Sequence, residues 1–413
     1  MSTRKNNSEK PNHSDSHRFT VQVKGPHECE YDDHRSHLLA QLEKIPRDIQ
    51  FLEITEDTPS NIEWALLGNH FSSVKDLEMR TGFNEELNDS ELPAHWPLER
   101  LFVSDACAEV FRSPFVLEGR VKHLVLLGTS GLRFEGPTSD ELYRANKEAI
   151  SRGEKAAKYM TVREGTPEEK KIELVFLPEL VSEAMNERYA GTRSNPLLTI
   201  QANKDLLFLP KEVPTKMGKL EILENDSIDT FNRMTIALPH VVEKLSTLNI
   251  RSTHGLDFHF TTEELFACLL PQLPELRTLV LSVGEIFKDE TLLPTLYTLF
   301  PPNLSTLRFR GPTSLTRSSE WANWMKSFAS PDFLPNLERL SFVLDLHYEA
   351  PEGDTSRRKL VAAPEDMLRD AQDACKQLYQ AVEQRGVVLE PFQDKWSDCW
   401  ALLKQVDERW VQL

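Results

Sequence analysis

The apolar positions of this chain recur in a fixed local pattern. Within LPELRTLVLSVGEIFKDETLLPTLYTLFPPNLSTLRF, residues 273 to 309, the triplet Leu276-Leu279-Leu281 returns 28 residues later as Leu304-Leu307-Phe309. A further copy, Leu337-Leu340-Phe342, follows in LPNLERLSF. Apolar residues at relative positions 0, 3 and 5 predict a chain entering a short strand, with the last two side chains alternating onto one face. A proline stands just upstream of each copy (Pro274, Pro302, Pro335), where it would end a preceding helix. A strand followed by a return at such a period predicts a solenoid, in which each unit packs on its neighbours.

The same triplet begins at Ile49-Leu52-Ile54 and continues as Val74-Leu77-Met79, Leu98-Leu101-Val103 and Val121-Leu124-Leu126. Their centres at 52, 77, 101 and 124 are 25, 24 and 23 residues apart. Pro46 and Pro97 repeat the upstream break. Further candidates are Ile172-Val175-Leu177, Met217-Leu220-Ile222 and Leu245-Leu248-Ile250. Between triplets the period changes to helical. SSEWANWMKSF spaces Trp321, Trp324, Met325 and Phe328 at 0, 3, 4 and 7, an aromatic stripe expected in the core. SNIEWALLG around Trp64 reads alike, and TTEELFACLL carries Thr261 or Thr262 as a helix N-cap.

The predicted class is α/β: an open, curved solenoid with parallel strands on the concave face and helices on the convex face. Residues 1–37 are polar and read as a disordered tail, and the repeats occupy 38–350. The stretch SDELYRANKEAISRGEKAAKYMTVREGTPEEKK marks a charged insertion at about 135–170. A linker at 351–363 leads to a helical cap at 364–413. In that cap Pro364 starts a helix with Met367, Ala371, Ala374, Leu378 and Ala381 on one face, and Gly386 closes it. Val387-Val388-Leu389 reads as one more strand. Trp396, Trp400, Leu403 and Trp410 share a face expected to cover the last core layer of the stack.

These Pro-(x)-Leu-x-x-Leu-x-Leu units with helical returns resemble the leucine-rich repeats across about residues 45 to 345. They are most similar to the irregular repeats of fungal F-box and F-box-like proteins, of the ribonuclease-inhibitor class. The resemblance implies a surface for protein partners. An F-box is not legible in HLLAQLEKIPRDIQ, the stretch before the first repeat, and the Asn or Cys that often follows the strand is not regularly present.

A formal net charge of −17 argues against indiscriminate binding to nucleic acid or acidic lipid. Five scattered cysteines without a C-x-x-C indicate neither a disulfide framework nor a structural zinc site. The first residues, MSTRKNNSEKPNHSDSH, lack an apolar core, and no stretch suits a membrane span. A monomeric protein of the cytoplasm or nucleus is expected.

Chemistry-bearing motifs are few. There is no P-loop, no G-x-G-x-x-G and no G-x-S-x-G; GTSG from Gly128 reads as a turn after a strand. His27, Cys29, His34 and His37 fit no zinc template. HGLDFHF offers His254, Asp257 and His259 as the one candidate enzymatic loop. No cofactor and no metal are expected. Residues beside the core-facing ones should line the concave face: Glu53, Asp76 and Glu78 early, Phe102, Val125, Leu127 and Phe176 in the middle, Arg251, Arg308, Arg310 and Arg339 late. An apolar centre between opposite charges suits a protein partner. The expected role is a non-catalytic interaction module. Its rivals are an F-box-like substrate receptor of a ubiquitin ligase and an enzyme, or accessory subunit of one, built on the His254 loop.

Overall fold

A computed structural model describes residues 18–24, 31–81, 92–104, 113–128, 159–163, 171–175, 215–224, 227–253, 266–267, 269–287, 290–350, 358–391, 393–397 and 399–411. Its main feature is one large, mostly parallel sheet laid down in chain order. The strands are β1 (Phe19–Val23), β2 (Phe51–Glu56), β3 (Asp76–Thr81), β4 (Arg100–Ser104), β5 (His123–Leu127), β8 (Lys219–Leu223), β9 (Thr247–Ser252), β10 (Thr278–Val283), β11 (Thr306–Pro312) and β12 (Arg339–Glu349). The intervening β6 (Tyr159–Arg163) and β7 (Lys171–Val175) form a separate antiparallel pair.

The triplets set the register. Leu52, Leu77, Leu101, Leu124, Leu220, Leu248, Leu279, Leu307 and Leu340 stand opposite one another from strand to strand, each with no solvent exposure. Two residues on, a second buried row runs from Ile54 and Met79 to Phe309 and Phe342. A slip of one residue would turn both rows to the other face, so burial fixes the pairing. The ladder starts before each strand: the carbonyl two residues ahead of each central leucine accepts from the next unit, as in Ser305 N–H to Arg277 O at 2.9 Å and Glu338 N–H to Ser305 O at 2.8 Å.

Helices cover the face bearing these rows. They are α1 (Tyr31–Leu42), α2 (Asn61–His70), α3 (Ser227–Ala237), α4 (Trp321–Ala329) and α5 (Glu365–Glu383). Ser60 and Glu63 close a reciprocal capping box at the start of α2. Trp324 on α4 is fully buried among Phe309, Phe328 and Phe342, and its indole N–H donates to Pro294 O at 2.6 Å.

Several boundaries differ from the expected ones. The sheet begins inside the stretch read as a tail, because Phe19, Val21 and Val23 alternate with polar residues and pair with β2. The free edge of β1 is closed by Gln41, whose side-chain amide bonds both the N–H and the C=O of Gln22. β5 pairs directly with β8, and Ile172 and Val175 belong to the antiparallel β6–β7 pair instead of the stack. The expected linker contains β13 (Lys359–Val361), antiparallel to the end of β12. Helix α5 buries Ala371, Cys375, Leu378 and Val382, a stripe rotated from the expected one. Val388–Leu389 does form a strand, β14, beside β12.

Candidate functional site

The sheet's second face carries the residues that flank the leucine row, and it divides into three zones. In the first, Glu78 is buried and receives Arg100 at 3.1 Å, Arg80 at 3.2 Å and Arg18 at 3.1 Å. Arg100 also bonds Asp76 at 2.8 Å. Burial pushes the Asp76 carboxyl up, and the Arg100 guanidinium opposes that rise.

The second zone is apolar. Phe102 on β4 and Val125 on β5 stand opposite each other, and Leu223 on β8, opposite Leu127, joins them in one small cluster. The guanidinium groups of Arg80 and Arg100 lie 5.6 and 5.8 Å from the Phe102 ring centroid. Beside this patch stands Glu221, fully buried. Its carboxylate contacts His123 Nε2 on β5 at 2.9 Å, Asn249 Nδ2 on β9 at 3.0 Å and Lys219 Nζ of its own strand at 2.7 Å. Burial pushes the Glu221 carboxyl up. The hydrogen bond from His123, the Lys219 ammonium and the Ser397 hydroxyl outweigh that and hold it at about 2.

The third zone holds the four predicted arginines. They are anchored to carboxylates of this chain: Arg251 to Glu224, Arg308 to Glu390 at 3.0 Å, Arg310 to Asp345 at 2.7 Å and Arg339 to Glu390 at 2.9 Å. Arg251 is only 3% exposed.

The chain's own C-terminal segment covers the middle of this face. After β14, Glu390 bridges Arg308 and Arg339, and Trp396 then lies with its ring 4.5 Å from the Arg308 guanidinium. Ser397 reaches Glu221. Cys399 and Leu403, the latter on α6 (Trp400–Val411), pack with Phe102, Val125 and Leu223, with Leu402 alongside. The segment therefore lies across the face instead of capping the end of the stack as expected. Trp400 is 40% exposed, and it is Cys399 that is buried against the face. The Trp410 side chain lies outside the described residues.

Sequence reading thus brings Phe102, Val125, Leu127, Arg251, Arg308, Arg310 and Arg339 to one face. Phe176 and the loop holding His254, Asp257 and His259 lie outside the described residues, as do His27 and Cys29. It missed Glu221, His123 and Lys219, although Glu221 follows Leu220 as Phe102 follows Leu101. It also missed the covering role of Glu390, Cys399 and Leu403, for which spacing within the segment holds no signal of direction. Among the described residues no group of three or more His, Cys, Asp or Glu is arranged to hold a metal ion, and no helix is long and apolar enough to cross a membrane. Comparison with known proteins finds no matching family model and no matching curated protein.

Proposed function

We propose that the chain is a leucine-rich-repeat solenoid, that the face opposite its helices is the concave one, and that it serves as a non-catalytic module binding a protein partner there. One observation carries this reading. The face already holds a polypeptide segment, residues 390–403, through an aromatic ring on Arg308, a hydroxyl on Glu221 and apolar side chains on Phe102, Val125 and Leu223. Its chemistry is therefore suited to peptide: a small apolar centre, flanked by ion-paired side chains of which Arg80, Arg100, Arg251 and Arg310 take their partners from outside the segment. The arginines contribute as a fixed, charged border rather than as unpaired anchors. The proposed setting is intracellular, with one copy of the chain acting alone.

The test captures partners from the native cell with the full-length chain and with a Phe102→Glu/Leu223→Glu chain, then maps their cross-links. The reading expects cross-links at Lys219 and Lys395, lost in the substituted chain at an unchanged thermal midpoint. Partners that survive the double substitution and cross-link to α1 or α5 would contradict it.

A further inference from the structure

The covering segment differs physically from the rest of the fold. The main core lies wholly on the helix side and includes no residue beyond β14. The segment's buried apolar residues, Cys399 and Leu403, belong instead to a second, small cluster on the opposite face. The charged groups beneath it take their partners mainly from the strands: His123, Lys219 and Asn249 hold Glu221, while Arg80 and Arg100 hold Glu78. Lifting the segment would thus leave no buried carboxylate without a cation, the outcome that makes uncovering a charged surface costly. What it would uncover is Phe102, Val125 and Leu223, a contiguous apolar patch that favours replacement by another occupant.

We propose that residues 390–411 are a displaceable strap, an intramolecular ligand that keeps the face closed until a partner replaces it. The partner segment takes the strap's chemistry: an aromatic side chain for Arg308, then small or aliphatic side chains three and seven residues on, where Cys399 and Leu403 now sit. This rests on the proposed interaction function and adds its regulation. Glu390 is the fixed end of the strap, held by Arg308 and Arg339.

Two buried cysteines make the strap's opening measurable. Cys399 lies on the buried side of the strap itself, and Cys375 lies on α5 with its side chain in the main core. Burial pushes each thiol up to about 12, so neither reacts readily in the closed chain. In the full-length Trp396→Ala/Leu403→Asp variant, alkylation located by mass spectrometry should accelerate at Cys399 by about ten- to a hundredfold while Cys375 stays protected. Acceleration of both together, or of neither, would overturn the strap while leaving the interaction reading standing. A fluorescent peptide of residues 390–411 should then bind this variant saturably and at least about tenfold more tightly than the wild-type chain, whose own strap competes. Selective exposure of Cys399 without peptide binding would overturn the partner assignment and the interaction reading with it. Dimerisation of the wild-type chain through exchanged straps would assign the face to a second copy and likewise overturn a separate partner.

Discussion

At the scale of single residues, the same position in each unit is under different pressures. The residue four past the central leucine leaves the strand in the left-handed region at Glu56 (φ 79°), Gly128 (φ 65°) and Glu224 (φ 62°). Glycine adopts that conformation without strain, whereas a side chain there costs roughly 1–2 kcal/mol. Glu224 is retained by its carboxylate, which pairs with buried Arg251 and accepts from Thr253 at 2.8 Å. Glu56 is exposed. We therefore expect opposite signs in urea unfolding: Glu56→Gly stabilises slightly, while Glu224→Gly destabilises by about 3 kcal/mol or more because buried Arg251 loses this carboxylate. Two destabilising results, or two stabilising ones, would refute this account of the turn.

Glu221 gives a second residue-scale prediction. Its folded value of about 2 lies below the ordinary 4.5, so in acid the unfolded chain takes up its proton first. Its contribution, roughly 3 kcal/mol, is complete above about pH 4.5 and fades as the pH falls toward about 2. The urea midpoint of wild type minus that of Glu221→Gln should shrink across this window. A difference independent of pH would contradict the network around His123 and Lys219.

At the scale of elements, legibility in the sequence followed burial. Strands β2 to β5 and β9 to β12 were readable because both their core-facing positions are apolar, and prolines stand just upstream of the β2, β4, β10, β11 and β12 triplets. Strand β7 imitated the triplet, since Ile172 and Val175 suit any strand and nothing local distinguishes an antiparallel pair from a stacked unit. Strand β1 was hidden because five residues among polar neighbours give little contrast, and its partner β2 lies far along the chain. The long β12 shows how a contact remote in sequence shapes an element. It overruns the sheet, and Tyr348 Oη donates to Thr253 O at 2.5 Å while lying against Gly284. A methyl group at residue 284 would occupy the place of the Tyr348 hydroxyl. Gly284→Ala should therefore free the β12–β13 hairpin, seen as faster amide exchange at Leu360 and Val361, with exchange at Leu279 and Leu307 unchanged. Uniform acceleration at all four would mean that the hairpin and stack open as one unit.

At the scale of the whole molecule, the chain uses its two sheet faces differently. One face is filled by leucine rows and helices, and the other is a charged border around a small apolar centre closed by the chain's own end. The sequence revealed the border and the centre, because both follow from the same arithmetic as the leucines. It did not reveal where residues 390–411 go, since an amphipathic segment is equally suited to the end of a stack and to its open face. The direction comes only from Glu390, Trp396 and Ser397 meeting Arg339, Arg308 and Glu221 in turn. Lysine cross-linking of the monomeric full-length chain tests this course most directly. Lys219 and Ser397 share Glu221, so a Lys219–Lys395 cross-link is predicted. Cross-links from Lys395 confined to Lys376 on α5, with none to Lys219, would place the segment at the end of the stack and contradict the account.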